Sequence, residues 1–459
     1  MKMLAAARLE GRISAKWSSN GHRWRVEPRA LPVDDGRSGW LRWLEPPGAY
    51  RALAGKVRVD CAVVGAGFTG LALARRLHEL RPGWRIAVVD AQRAGTGASG
   101  RASGFVVDLV DFTAALDAED RARYVRVARA GIAELRRLVA ELGIDCWWDE
   151  TGWMRAARGP RGMRFLSSWP RLLEDFEIAY RWLDSAELSQ VIGSEFYQAA
   201  VRLPGSILIH PGRLVRGLAA ALPPAVDLYE CSPVLAIERG ASFELTTPGG
   251  RLVADKLFVT ANGYSQALGF GARQIFPVFT FGSFTRPLSE AEQASIGGER
   301  EWGILAMDPM GSTVRRLRDG RLLIRNTVHY TRGLRLPEAV LEKARREHRR
   351  ALLARFPSLA EVGFESTWSG LMGTSRTRLY TFGELEPGLF LAGGFTGAGI
   401  AQGAIVGRLL AELALGEDSA LLRDQLALPS PFRMPVEPLR SMGGWWLVQR
   451  MNHAAGDCL

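Results

Sequence analysis

The sequence predicts a mixed α/β chain in which a parallel, ligand-binding sheet is interleaved with a second part of α+β character, built on a mostly antiparallel sheet. Three observations predict it. Residues 57–105 read as buried strand, glycine turn, helix and second buried strand. Residues 389–415 repeat strand, glycine loop and helix near the other end of the chain. Between them, residues 275–286 and 302–326 alternate aromatic and β-branched residues with polar ones, as a half-buried antiparallel sheet requires.

The first stretch opens on the apolar run 61–64, which lacks polar alternation and so suits a strand buried on both faces. Gly65, Ala66, Gly67, Phe68, Thr69 and Gly70 follow, matching G-x-G-x-x-G. The first glycine permits the tight turn, the second lets backbone approach a pyrophosphate, and the third lets helix pack closely on strand. A helix is predicted over 71–80, its N-terminus offering N–H groups and the positive dipole end to an anion. A second buried strand over 85–89 ends in Asp90, twenty residues past Gly70, where a carboxylate accepts ribose hydroxyls. The context marks a Rossmann-like dinucleotide site, with Gly65, Gly67, Phe68, Thr69, Gly70, Asp90 and Ala91 as its contacts. A second small-residue loop follows from Gly95 to Gly104, with Gly97, Ala98, Ser99, Gly100, Arg101, Ser103 and Gly104 as its expected ligand contacts. It lets backbone approach something flat and large, with Ser99, Arg101 and Ser103 as donors to phosphate or ring edge.

Composition narrows the function classes. The chain has 459 residues and 47% hydrophobic content, enough for two or three domain-sized units with a sizeable core. Net charge is +11, but the arginines are scattered and no basic run of five or six appears, so a solvated surface is expected and no nucleic-acid partner. Cys61, Cys146, Cys231 and Cys458 show no C-x-x-C spacing, which points away from a metal site and toward a reducing, cytoplasmic setting. The apolar patch 3–7 is interrupted by Arg8 and Glu10, so no signal peptide is expected. No stretch of eighteen apolar residues predicts a spanning helix.

The remaining elements follow in order. Residues 1–56 form a polar arm carrying Trp40, Trp43, Pro46 and Pro47. Helical periodicity runs from Phe112 to a stop at Gly143. Residues 146–157 suggest a strand pair around a turn, and 172–192 a helix. Residues 207–222 read as strand, turn through Pro211 and Gly212, and helix, with His210 structural at the turn. Residues 226–237 suggest a strand, and 242–247 with 251–253 a hairpin across Gly249 and Gly250. A further buried strand over 256–260 ends in Ala261, Asn262 and Gly263, small residues suited to close passage beside a ligand. Residues 337–356 form an amphipathic helix with proline at its start. The tail holds Trp445, Trp446, Leu447 and Arg450 in a short helix, expected to pack on its own domain rather than on a membrane.

Five segments carry a family resemblance: GASGRASG (97–104), IHPGRLVRG (209–217), KLFVTANGYS (256–265), DGRLLI (319–324) and GLFLAGGFTGAGIAQG (388–403). From about Trp40 to the C-terminus the chain resembles FAD-dependent amine and amino-acid oxidoreductases of the D-amino-acid oxidase, glycine oxidase and sarcosine oxidase superfamily, in particular its gamma-glutamylputrescine oxidase-like branch. The resemblance implies an FAD-binding domain made of 57–111, 193–265 and 366–420, a substrate domain made of 112–192 and 266–365, and a tail over 421–459. It places the backbone of Val234 beside adenine, and Ala261 and Gly263 beside the cofactor. Gly394, Phe395, Gly397, Ala398, Gly399 and Ile400 form the loop where helix N–H groups stabilise negative charge on a reduced flavin. Neither glycine loop contains His or Cys, so the FAD is expected to be non-covalent.

The implied activity is oxidation of a C–N bond in an amine or amino acid by hydride transfer to flavin, giving an imine that hydrolyses. Oxygen, or a quinone or other carrier, would accept the electrons. His329, Tyr330, Arg316 and Trp302 are the pocket candidates, Arg316 for a substrate carboxylate and Trp302 as an aromatic wall. Ala102 and Ser103 stand where relatives have Asn and Gly, and Ala398 where several have His, so the substrate is not copied from any of them. Two alternatives stand beside this reading. An NAD(P)-dependent dehydrogenase shares the first motif but leaves the other glycine loops without a purpose, and a non-catalytic flavin-binding protein has the loops without turnover.

Overall fold

The computed structural model describes residues 23–45, 48–108, 116–308 and 310–456. The start of the arm with the 3–7 patch, His22, Pro46, Pro47, Phe112 and Cys458 lie outside the described residues.

The runs read as buried strands form the centre of the first sheet. Gly55–Val64 pairs in parallel with Ile86–Val89 on one side and Gly250–Val259 on the other. Val226–Tyr229 and Leu389–Gly393 extend the parallel set. Cys61, Ala62, Val63, Ile86, Ala87, Val88, Val89, Leu257, Phe258 and Val259 are all buried, so both faces of this sheet are covered. Antiparallel strands complete it: Phe243–Thr246, Ala236–Arg239 and, at the edge, Arg23–Arg25, with Thr381–Glu386 beside Leu389–Gly393.

Helices Phe68–Leu80 and Ala401–Leu415 lie against each other on one face, and Ala118–Glu141 packs on the second of them. Glycines set these crossings. A Cβ on Gly407 would stand 2.2 Å from the carbonyl oxygen of Thr69, and one on Gly131 would stand 2.4 Å from that of Ala401.

The second sheet has the strand order Phe364–Thr374, Phe276–Thr285, Leu322–His329, Thr313–Arg316, Trp302–Ala306, Met154–Ala157, Ala199–Arg202 and Arg181–Asp184. It is antiparallel except where Trp302–Ala306 meets Met154–Ala157. Helix Glu338–Arg355 covers one face. Its His348 is fully buried, 2.7 Å from Ser283 Oγ, and burial pushes the imidazole down to about 3, so the ring is neutral.

Several boundaries differ from the sequence expectation. Residues 146–157 are not a hairpin, because Met154–Ala157 takes its partners from distant strands. The helix expected over 172–192 is interrupted by the strand Arg181–Asp184; Glu177 takes a left-handed φ of 53°, and Asp184 starts a new helix with a capping box to Glu187. The hairpin strand at 251–253 and the strand at 256–260 are one continuous strand, Gly250–Val259. The return to the first sheet begins at Thr381 rather than Ser366, since Phe364–Thr374 pairs along its length with Phe276–Thr285. Ala199–Arg202 likewise belongs to the second sheet.

Because Gly407 packs directly on backbone, Gly407→Ala is expected to force two helices apart and cost about 1–3 kcal/mol. Urea denaturation of the two proteins side by side measures this.

Candidate functional site

Two loops at the end of the parallel sheet share one geometry. Gly65 takes φ +111°, and a Cβ on Gly70 would lie 1.8 Å from the carbonyl oxygen of Gly65. Gly95 takes φ +87°, and a Cβ on Gly100 would lie 1.9 Å from the carbonyl oxygen of Gly95. Only glycine fits the later position of each pair. The helices Phe68–Leu80 and Ala98–Arg101 begin at Gly67 and Gly97, which have extended backbones and no side-chain cap over the helix end. The loops touch each other: Ser99 Oγ accepts from Phe68 N–H at 3.2 Å, in the space a Cβ on Gly67 would need.

They border a cleft of about 130 Å³ lined by Gly65, Gly67, Asp90, Ala91, Gly97, Ala98, Ser99, Val234 and Ala261, which brings nine of the expected cofactor residues together. Asp90 Oδ2 accepts from Ala66 N–H at 2.7 Å and Oδ1 from Gln92 N–H at 2.9 Å. Burial pushes its carboxyl up to about 6, against the opposing pull of those two N–H groups. Phe68 and Thr69 are buried at the helix start and do not line the cleft, and Gly104 is held against the carbonyl of Ile209. Gly263 abuts Leu371, itself a wall of the cleft, and Ser103 is half-buried.

A second cleft of about 230 Å³ adjoins the first and shares Gln92, Gly97, Ala98, Tyr264 and Leu371 with it. Arg101 lines it, but its guanidinium is committed to protein acceptors: Thr96 O at 2.7 Å, Ser369 O at 2.9 Å, Asp34 at 3.1 Å and Asp35 at 2.9 Å. It therefore ties the loop to the second sheet and to the N-terminal segment, instead of acting as the free donor expected from sequence. That segment forms a strap. After the edge strand Arg23–Arg25, Val26, Ala30, Leu31 and Pro32 cover the first cleft, and Val33, Asp35 and Arg37 the second. Arg37 holds the far end by an ion pair to Glu338 at 2.7 Å.

The C-terminal glycine loop is shaped by Asn262, a non-glycine residue with φ +48°, whose Oδ1 accepts from Gly394 N–H at 2.9 Å. Gly394 and Gly397 take φ +88° and +92°, and Thr396 Oγ1 lies 3.1 Å from Thr374 Oγ1. Gly399 packs on the Phe395 ring; Phe395, Ala398 and Ile400 are buried, and the side chains of Phe395 and Ile400 belong to the core of the first sheet. Neither cleft is lined by residues 394–400, nor by any His or Cys among the described residues.

The four expected pocket residues do not converge. Trp302 is completely buried in the core, 6.3 Å from Phe356, so it walls no cleft. Arg316 is buried and donates to Gly297 O at 2.5 Å and Gln293 Oε1 at 3.3 Å, which leaves it turned away from a substrate carboxylate. Tyr330 stacks on Phe276 and its hydroxyl meets Ser441 Oγ at 2.9 Å, under the C-terminal helix. His329 is half-buried opposite Phe279, with burial and then Lys343 lowering its pKa.

Strand alternation explains the miss and names the arginine on the other face. Arg325 lies in register with Gly282, which lies in register with Trp368. A Cβ on Gly282 would touch the Trp368 ring at 2.9 Å, and Trp368 Nε1–H donates to Arg101 O at 3.2 Å. Arg325 is thus on the face of the second sheet that meets the first part of the molecule. No carboxylate pairs it among the described residues, and burial alone lowers its pKa, although it keeps some solvent contact. Its neighbour on that face, Arg315, is fully buried and committed to Ile209 O at 2.6 Å, with burial pulling its pKa down to about 10.

The parts fit a large dinucleotide: uncapped helix ends at two glycine loops, a carboxylate at the second strand end, and glycines with no room for a side chain. Residues 60–413 match the family described as DAO, FAD dependent oxidoreductase. A probable oxidoreductase OrdL of Rhizobium meliloti is 29% identical over 432 residues, covering 87% of this chain and 93% of that protein. The gamma-glutamylputrescine oxidoreductase of Escherichia coli is 27% identical over 379 residues, covering 80% and 86%. Glycine oxidase from Geobacillus kaustophilus has a similar fold, with TM-score 0.68, 23% identity and coverage of 83% of this chain and all of that one. The nicotinamide alternative therefore falls, and the chain belongs to the DAO family of FAD-dependent oxidoreductases.

Proposed function

We propose that the enzyme oxidises a C–N bond of an amine or amino acid that also carries an anionic group, such as a carboxylate. The observation that carries the reading is Arg325: a guanidinium with no carboxylate partner among the described residues, on the inner face of the second sheet, in register with Gly282, over which the Trp368 ring packs. An anion supplied by substrate would satisfy it through a charge-assisted, bidentate contact. Relatives named for gamma-glutamylputrescine and glycine support the amine half of the reading.

FAD, when bound, supplies the acceptor for hydride from the carbon next to nitrogen, leaving an imine that water hydrolyses. The chain's own residues do the binding and orienting. The Gly65–Gly70 turn and the helix end behind it receive the pyrophosphate, and Asp90 accepts the ribose hydroxyls. Val234, Ala261 and Gly263 flank the nucleotide side. Gly97, Ala98, Ser99, Gly100, Ser103 and Gly104 would hold the ring side, and Gly394, Gly397 and Gly399 would supply the third helix end. Reaction then requires a neutral amine held over the ring in a dry site, and no strong side-chain base. The electron acceptor is oxygen, or a quinone or carrier.

Four outcomes are expected. Under anaerobic conditions, amines that carry a carboxylate bleach the oxidised-flavin spectrum and simple alkylamines do so poorly. Arg325→Gln is expected to raise KM for the former about 10- to 100-fold, the worth of one charged hydrogen bond, with little change for the latter. A flavin that no amine reduces would overturn the reading. Heat or acid precipitation is expected to leave all flavin in the supernatant.

The fourth outcome concerns pH. The raised pKa of Asp90 means that the folded protein keeps this proton to a higher pH than the unfolded chain. Its contribution to stability is therefore greatest below about pH 4 and is lost as pH rises through about 6. FAD affinity follows the opposite course, because the ionised carboxylate is the better acceptor. Fluorescence titrations are expected to show affinity falling as pH drops below about 6, with Asp90→Asn flattening the profile.

A further inference from the structure

The C-terminal helix Leu439–Ala455 has the inverse of an ordinary surface pattern. Its inner face is fixed to the second sheet. A Cβ on Gly444 would lie 2.0 Å from the Phe276 ring, and Val448 packs with Phe276, Val278 and Val328. Asn452 bonds both backbone groups of Val328, at 3.1 and 2.9 Å. A helix docked on one side this way ordinarily presents charges outward. Here the outward side chains up to Leu447 are mainly apolar: Leu439 is 61% exposed, Met442 64%, Trp445 57%, Trp446 54% and Leu447 47%, with Gln449, Arg450 and His453 exposed beyond them. Phe432 and Val436, each 62% exposed in the segment leading into the helix, belong to the same stretch of chain.

We propose that this face is a docking surface for an anionic lipid bilayer, with the helix lying in the headgroup region and its tryptophans inserted. Three observations favour this occupant over a second copy of the chain. First, between Phe432 and His453 the charges are Arg433, Arg440 and Arg450 against one carboxylate, Glu437, which Arg440 already pairs at 2.6 Å. Arg433 and Arg450 have no carboxylate partner among the described residues, and Arg450 lies over the Trp446 ring at 4.6 Å. Second, a two-fold contact would bring these arginines against their own copies, whereas a layer of anionic headgroups neutralises them. Third, the chain carries +11 net charge, which repels another copy and draws the molecule to an anionic surface. Paired tryptophans with flanking arginines are the side chains the bilayer interface accommodates best. No described helix is long and apolar enough to cross the membrane, so attachment is to the surface.

The attached face lies near the cofactor loops. Phe276 and Met372 belong to the cluster beneath the helix, and Met372 Sδ is 3.8 Å from where a Cβ on Gly397 would stand. Docking therefore brings the C-terminal glycine loop toward the lipid side of the molecule. This inference does not depend on which amine is oxidised.

Flotation of the full-length FAD-loaded protein with vesicles tests it. Binding is expected to vesicles of phosphatidylcholine with about 30% phosphatidylglycerol, falling about tenfold on pure phosphatidylcholine and on raising salt to about 0.5 M. The variant Trp445→Ser with Trp446→Ser changes only outward side chains; it is expected to keep its flavin spectrum and melting temperature and to lose vesicle binding at least tenfold. Failure of the wild type to bind anionic vesicles, or unchanged binding by the variant, would overturn the proposal. So would a wild-type dimer in sedimentation that the variant converts to monomer, since a second copy would then be the occupant.

Discussion

The structure depends on how closely the backbone folds back on itself at two places. In each cofactor loop a glycine lies five residues after another, and its α-carbon presses on the carbonyl of the first. Adding one methyl group would place carbon 1.8 Å from that carbonyl oxygen in the first loop and 1.9 Å in the second, far inside normal contact. Because the approach is so close, the helix behind each loop starts directly at the strand end, and both helix ends open on a shared cleft. The central strands must then be buried on both faces, with helices covering one side through further glycine contacts at Gly131 and Gly407.

The two sheets are built from interleaved stretches of one chain, so their relative placement is set at many crossings rather than by a single linker. Arg101 illustrates this. One guanidinium joins its own loop, the Phe364–Thr374 strand and the strap. Trp368 returns the contact by donating to the Arg101 carbonyl. The inner face of the second sheet is thereby presented to the loops, and with it Arg325. The enzyme thus obtains a fixed cofactor cleft and, facing it, a cation with no carboxylate partner among the described residues, from elements that lie more than two hundred residues apart in sequence.

Much of the first site was legible because its chemistry is local. Glycines, an apolar run and an acid at a strand end each declare their role within a few residues, and the C-terminal loop does so again. The Gly95 and Gly100 pair repeats the spacing of Gly65 and Gly70, a signal available in the sequence whose geometric meaning appeared only with the structure. The pocket residues were not legible for a physical reason. Arg315 and Arg316 are adjacent, so they point to opposite faces, and sequence alone does not say which face meets the cofactor part. A bulge near Thr327, which takes φ +57°, further shifts the phase between Arg325 and His329. The strap residues 26–37 carry no motif at all. Their role comes from where the chain passes.

The strap also sets an order of events during synthesis. Arg23–Arg25 are made long before their strand partners, residues 236–239, and Arg37 finds its partner only at Glu338. The roof over both clefts therefore cannot close until three-quarters of the chain has been made. The edge of the first sheet can pair earlier, once residues 236–239 have been made. The first sheet is finished later still, when Leu389–Gly393 joins Gly250–Val259, so the sheet and the roof over its cleft are both completed only toward the end of synthesis.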